Sequence, residues 1–193
     1  PSVSENRLIP LESFGMHTLS IGNLVEENDA VVWRGPMVHQ ALEQLLRDTK
    51  WPGGDFMIID LPPGTGDAQL SLSQLCEFTG AIIVSTPQDV ALIDAVKAAQ
   101  MFSKVEIDIL GIVENMSFFT CPKCGEETPI FSQHGAEEAC KKLEAPFLGA
   151  VPIELQVRIG GDEGKPLMAS NLDSPATTAF KNIADNLVKV LES

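Results

Sequence analysis

Five short apolar runs punctuate the chain: Thr18-Leu-Ser-Ile21, Phe56-Met-Ile-Ile59, Ala81-Ile-Ile-Val84, Ile109-Leu-Gly-Ile-Val113 and Phe147-Leu-Gly-Ala-Val151. Each has the length of a strand rather than of a helix. The middle three are almost unbroken apolar, the pattern of strands covered on both faces. Between the runs, apolar positions recur at helical spacing. Met37, Ala41 and Leu45 follow one stripe, with Leu42 and Leu46 beside it. Ala91, Ala95, Ala98 and Phe102 make another, and Ala136, Ala139 and Leu143 a third. A last helix is expected from about Ser174, an N-cap ahead of Pro175, through Phe180, Ile183, Leu187 and Leu191. Its Asn182, Asp185, Asn186, Lys189 and Glu192 make an ordinary solvated face, with no basic surface for a membrane. Strands alternating with helices predict right-handed crossovers and an α/β fold built on a mostly parallel sheet. No repeat, low-complexity tract or long linker interrupts the pattern, so residues 1–193 read as a single domain.

Composition narrows the function classes. The net charge of −14 is spread along the chain, which repels phosphate backbones and argues against nucleic acid as a partner. No apolar run approaches the roughly 20 residues that span a bilayer, so no membrane role is expected. The segment Pro1-Ser-Val-Ser-Glu-Asn-Arg7 has neither the basic nor the apolar part of a secretory signal. Four cysteines in 193 residues do not make a disulfide scaffold. A reducing compartment with metal-binding or catalytic thiols fits them better.

Candidate chemistry gathers at the carboxyl ends of the expected strands, where open α/β sheets bind ligands. The second run ends in Asp60-Leu-Pro-Pro-Gly-Thr-Gly-Asp67. A carboxylate at such a tip can hold magnesium or its water shell. The Gly64-Thr65-Gly66 turn lets backbone N–H groups approach a phosphate, and Asp67 would cap the next helix. The plainer alternative is a strand ending in an Asp-capped turn. Ser85-Thr-Pro-Gln-Asp89 follows the third run, with Asp89 placed as an N-cap. Asn115, after the fourth, either reads the edge of a base with its amide or simply forms a turn. Pro152, after the fifth, stacks on a base or ends the strand.

Cys121-Pro-Lys-Cys124 lies just beyond Glu114-Asn-Met-Ser117, in a loop at about residues 116–130 flanked by Gly125 and Pro129. Two thiolates at this spacing supply half of a tetrahedral site. A redox pair usually opens a helix, which this loop does not. Within one chain, Cys121, Cys124, His134 and Cys140 could close a zinc site, although Cys140 falls on the third helical stripe and reads equally as core. Alternatively, two chains could each donate Cys121 and Cys124 to a [4Fe–4S] cluster, whose usual complement is four thiolates. Spacing leaves both open. Cys76 reads as structural.

Taken together, Trp33-Arg-Gly-Pro-Met37, Asp60-Leu-Pro-Pro-Gly-Thr-Gly-Asp67, Val84-Ser-Thr-Pro-Gln-Asp89, Gly111-Ile-Val-Glu-Asn-Met-Ser117 and Cys121-Pro-Lys-Cys124 resemble the Mrp/ApbC family of iron–sulfur cluster carriers. These are deviant P-loop ATPases related to MinD and to nitrogenase iron protein. The resemblance implies a P-loop NTPase sheet and a labile [4Fe–4S] cluster bridged between two subunits through Cys121 and Cys124. It implies that Asp60 is the Walker-B-like carboxylate near Mg²⁺, that Gly64, Thr65 and Gly66 sense the γ-phosphate, and that Asn115 contacts adenine. ATP hydrolysis would be slow and linked to binding or release of the cluster. The partners implied are a second copy and apo iron–sulfur proteins, in a bacterial cytoplasm or, for a eukaryotic source, the mitochondrial matrix.

The chain departs from that family in one respect. It has no Gly-rich loop ending in Gly-Lys-Ser or Gly-Lys-Thr, and Gly161-Asp-Glu-Gly-Lys165 is followed by Pro166. Pro1-Ser2 resembles the tail of the family's switch I segment. The expectation is therefore an N-terminally incomplete domain whose nucleotide site, ATP and Mg²⁺ included, is complete only in full-length members. Two further readings from other classes stand beside this one: a zinc-stabilised interaction module, and a MinD-like partition ATPase.

Overall fold

The computed structural model describes residues 1–4, 7–24, 35–61, 66–121, 123–131, 135–170 and 172–193. They fall into two compact units, Pro1–Glu77 and Phe78–Ser193. The first opens with two antiparallel hairpins, β1 (Ser2–Ser4) with β2 (Arg7–Ile9) and β3 (Leu11–Ser13) with β4 (Met16–Thr18). Phe14 and Gly15 join β3 to β4 with φ of 52° and 76°, the left-handed pair that suits the twist of a two-residue hairpin turn. Helices α1 (Gly35–Arg47) and α2 (Asp67–Leu75) follow. The Arg7 guanidinium ties β2 to the end of α1, donating to the carbonyls of Arg47 at 3.1 Å and Thr49 at 2.8 Å.

Two expected strands are corrected here. Thr18 ends β4 instead of starting a strand, and Ile21–Asn23 forms a 3-10 turn because Ser20 and Asn23 make a reciprocal capping box around it. The run Phe56–Ile59 takes no strand conformation. Phe56, Met57 and Ile58 are 68%, 56% and 89% exposed. Apolar composition makes a strand only where a neighbour completes the hydrogen-bond ladder, and no described segment pairs with this run.

The second unit carries the parallel sheet. Its strands are β5 (Ala81–Ser85), β6 (Ile109–Glu114) and β9 (Phe147–Ala150), in the order β5-β6-β9. A small hairpin, β7 (Phe119–Thr120) with β8 (Glu127–Thr128), leaves the sheet after β6. Helices α3 (Asp89–Lys104), α4 (Gly135–Leu143), α5 (Leu155–Asp162) and α6 (Pro175–Leu191) complete the unit.

Strand alternation sorts the core into two layers. Ile83 and Ile112 pack with Ala95 of α3 and with Ala136, Ala139 and Cys140 of α4. Val113 and Leu148 pack on the other face with Ile183, Leu187 and Val190 of α6. Among the described residues β6 contributes to both layers, through Ile112 and Val113. Ile82 and Val84 of β5 remain 39% and 63% exposed, which departs from the two-faced burial expected of that strand.

Helix ends follow the sequence closely at α6. The Ser174 side chain accepts from the Thr177 N–H, with Pro175 at the first position. One detail differs on that helix. Asn186 is not on the solvated face, because its amide donates to the Leu148 carbonyl at 3.0 Å beside the apolar stripe.

Candidate functional site

The cysteines sit on the tip of the β7–β8 hairpin. The Cys121 N–H donates to the Glu126 carbonyl at 2.9 Å, extending the ladder by one pair, and the Gly125 N–H donates back to the Cys121 carbonyl at 2.8 Å. Gly125 takes φ of 74°, a conformation that suits glycine and lets so short a loop close. Pro122 lies outside the described residues. Cys121 is half-buried, Cys124 is exposed, and both thiols are free. The backbone N–H groups of Lys123 and Cys124, with a smaller contribution from the Cys124 thiol, hold the Cys121 thiol below its ordinary value. The turn therefore presents a thiol that ionises more readily than usual and a second, open thiol. This pair can hold one edge of a metal cluster or half of a tetrahedral metal site.

Cys140 is a different kind of thiol. It is buried on α4 among Ile83, Ile112 and Ala139, and burial pushes its thiol up, with Glu137 and Glu114 adding to the effect. Of the four residues of the one-chain zinc reading, His134 lies outside the described residues and Cys140 is packed into the core. Among the described residues no group of three or more His, Cys, Asp or Glu side chains could hold a metal. Cys76 caps the end of α2, half-buried, and desolvation raises its thiol despite the nearby Arg47.

These environments predict an order of reactivity. Iodoacetamide near neutral pH should alkylate Cys121 with an apparent midpoint below the ordinary thiol value of 9.0, while Cys140 reacts only on unfolding. Peptide mass spectrometry over a pH series checks this; labelling of Cys140 in the native chain at the rate of Cys121 would contradict it.

The base of the hairpin is built into the tip of β6. The Asn115 N–H donates to the Ser85 carbonyl at 2.7 Å, and the Ser117 N–H to the Val151 carbonyl at 3.0 Å. Asn115 thus lies between the tips of β5 and β9, where a base-reading amide was expected. Its Oδ1 accepts from the Met116 N–H at 3.0 Å, and Met116 takes φ of 55°. The turn-forming role is therefore filled in this state, with the amide NH₂ group left to donate. Pro152 is buried beyond β9.

Glu114 is the residue the sequence did not single out. It is 6% exposed, with one carboxylate oxygen accepting from the Ser117 hydroxyl and the other from the Ala136 N–H at 2.8 Å. The only hint in the sequence is an acidic residue closing an apolar strand.

The expected nucleotide residues Asp60 and Gly66 belong to the first unit, whereas Asn115, Cys121 and Cys124 belong to the second. Asp60 is exposed at the end of the unpaired run. Gly66, not Asp67, is the N-cap of α2, with no side chain to cap it, and Asp67 becomes the first helical residue. Likewise Gln88, not Asp89, occupies the N-cap of α3. Asp89 nonetheless sits in the first turn of α3, where a carboxylate complements the helix dipole. Gly64 and Thr65 lie outside the described residues, as do Trp33 and Arg34.

Comparison with known proteins places these features in a wider group. The family model described as "ParA: NUBPL iron-transfer P-loop NTPase" matches residues 1–188. The iron–sulfur cluster transfer protein NUBPL of Dictyostelium discoideum is 52% identical over 97% of this chain and 58% of its own length. The iron–sulfur protein required for NADH dehydrogenase of Arabidopsis thaliana mitochondria is 45% identical over 100% of this chain and 62% of its own length. The iron–sulfur cluster carrier protein of Escherichia coli K12 is 46% identical over 95% of this chain and 50% of its own length. The chain thus spans between half and two-thirds of the length of these curated relatives. Among solved structures, a nucleotide-binding protein of Archaeoglobus fulgidus in complex with ADP, with cobalt present, superposes with a TM-score of 0.73. It is 32% identical, over 90% of this chain and 67% of that one. The cell-division ATPase MinD of Pyrococcus furiosus, at 24% identity and a TM-score of 0.57, shares the fold alone.

Proposed function

The chain belongs to the NUBPL iron-transfer family of P-loop NTPases, and from that premise we propose that it carries an iron–sulfur cluster as cargo and delivers it to apo iron–sulfur proteins. The observation that carries this reading is the Cys121–Cys124 pair on a tight turn, one half-buried and one exposed, with half of a four-thiolate set and no further ligand among the described residues. A second copy of the chain supplies the other half. The cargo is a labile [4Fe–4S] cluster, held at the interface of a homodimer by Cys121 and Cys124 of each copy. An edge-bound, solvent-facing cluster suits delivery, because incoming thiolates can displace ligands one at a time.

The nucleotide part of the proposal rests on Asp60 near Mg²⁺, on Gly64, Thr65 and Gly66 beside the γ-phosphate, and on Asn115 at the adenine edge. The position of Asn115 between two parallel strand tips supports its share of that reading. ATP and Mg²⁺ belong to full-length members of the family, because this sequence contains no Gly-Lys-Ser or Gly-Lys-Thr loop to cradle the phosphates. Bacterial and mitochondrial relatives support a bacterial cytoplasm or a mitochondrial matrix as its place of work. Among the described residues no helix is long and apolar enough to cross a membrane.

The test is transfer. Chain loaded with cluster under anaerobic conditions is mixed with an apo [4Fe–4S] enzyme in the presence of an iron chelator. Recovery of activity despite the chelator supports direct delivery. Recovery no better than from free iron and sulfide under the same chelator removes it.

A further inference from the structure

A buried carboxylate without a cationic partner needs a structural reason, since desolvating the charge is costly. Among the described residues Glu114 has no such partner. Its hydrogen-bond partners among them are both neutral: the Ser117 hydroxyl, three residues further along the chain, and the Ala136 N–H in the first turn of α4, twenty-two residues away. The second is a common way to satisfy a helix start, where N–H groups lack intrahelical partners and the dipole favours negative charge. The first is less usual, because it pulls the chain leaving β6 back onto the strand tip. Met116, between them, takes a left-handed φ of 55°, a conformation that a side-chain-bearing residue keeps only where its surroundings impose it.

What lies immediately beyond that closure is the cysteine hairpin. Its ladder has the pairs Phe119↔Thr128 and Thr120↔Glu127 and one further hydrogen bond from Cys121 to Glu126, too little to hold an isolated hairpin in place. Its position depends on its root. Two backbone hydrogen bonds reach the segment after β9, from the Ser117 N–H to Val151 at 3.0 Å and from the Ile153 N–H to Phe118 at 2.7 Å. The Ser117–Glu114 bond adds a third tie, the one that reaches the sheet's central strand through a side chain.

We propose that Glu114 is a positioning residue for the Cys121–Cys124 pair: through Ser117 it fixes the hairpin to the tip of β6, and through Ala136 it locks the same tip to α4. The functional meaning of this latch rests on the carrier reading above. A cluster shared between two chains needs four thiolates at fixed separations, so a hairpin that swings on its root holds the cluster poorly even when both cysteines are present. The latch also encloses Asn115. A ligand that takes the Asn115 Oδ1 from the Met116 N–H loosens the turn that Glu114 closes, which links the base-reading position to the placement of the thiols.

Ser117→Ala tests this, because it removes the tie to the hairpin and leaves Glu114 on Ala136. Hydrogen–deuterium exchange of the whole chain should show residues 118–128 exchanging about tenfold faster, the effect of losing one hydrogen bond to a charged group. Residues 135–143 should be unchanged, and Ser117→Thr should restore the wild-type pattern. Glu114→Ala should loosen both segments. Unchanged exchange at 118–128 in Ser117→Ala would reduce Glu114 to a helix cap and overturn the proposal, as would equal loosening of hairpin and α4. Cluster lifetime against a chelator, measured on the same variants, should fall about tenfold in Ser117→Ala and recover in Ser117→Thr. A loosened hairpin that kept its cluster as long as the wild type would also overturn it. Failure of the wild type to take up any cluster would remove the carrier reading, while the exchange data still decide whether the latch exists.

Discussion

Cys124→Ala should leave the chain folded and unable to keep a cluster. Cys124 is exposed on the hairpin tip and lies in neither layer of the core, so its loss should change stability by no more than about 0.5 kcal/mol. The ligand count changes far more. Two wild-type chains offer four thiolates from Cys121 and Cys124, and two mutant chains offer two, against the four a [4Fe–4S] cluster usually takes. Iron retained after desalting should fall by at least about tenfold, because half of the first coordination sphere is gone and the exposed edge is open to water. Cys140→Ala is the control. Its thiol is in the core beside Ile112, so the cost appears as a lower midpoint in thermal unfolding, with iron per folded chain unaltered. Full loading of Cys124→Ala, or loss of iron in folded Cys140→Ala, would contradict the assignment of ligands.

Gly111→Ala produces the largest loss of stability expected from removing no contact at all. Gly111 stands in the central strand with φ of 156°, and a Cβ built on it would lie 2.5 Å from Leu148 Cγ. Leu148 is only 1% exposed and packs with Val113 and the α6 stripe, so it has nowhere to retreat. Overpacking of this kind costs about 1–3 kcal/mol, and an unfavourable backbone conformation adds about as much again. Urea unfolding of the variant should therefore show a destabilisation of about 3 kcal/mol or more with an unchanged slope. A loss under about 1 kcal/mol would mean that the sheet's two faces are packed less tightly than the Leu148–Gly111 contact implies.

How much of this was legible in the sequence depends on what each residue's position rests on. The strands at 81–85, 109–114 and 147–150 and helices α3, α4 and α6 follow from local pattern, because their apolar positions find partners within the same unit. The Ser174–Pro175 start of α6 was readable for the same reason: a cap is decided by its neighbours along the chain. Phe56–Ile59 was misread because a strand is a property of two segments, and composition shows only one. The hairpins at residues 2–18 carried turn residues but no clean alternation, and most of their side chains are exposed.

The candidate site divides in the same way. The Cys-x-x-Cys-Gly turn announces itself through spacing and the glycine that closes it. Asn115 could be placed at a strand tip because the apolar run before it ends there. Glu114 could not be read, since its partners are a hydroxyl across a left-handed turn and a helix start twenty-two residues away. The caps expected at Asp67 and Asp89 lie one residue earlier, at Gly66 and Gln88, a shift no larger than the usual uncertainty of a helix end.

The central claim is that two copies of this chain share one cluster through Cys121 and Cys124. The measurement that tests it most directly is anaerobic reconstitution with ferrous iron and sulfide, followed by a visible spectrum, iron and sulfide counts, and the mass of the loaded species. A broad band toward the blue end, with about four irons per two chains in a particle of twice the chain's mass, is the predicted result. A colourless chain of single mass holding about one zinc would contradict it and give the hairpin to a mononuclear site instead.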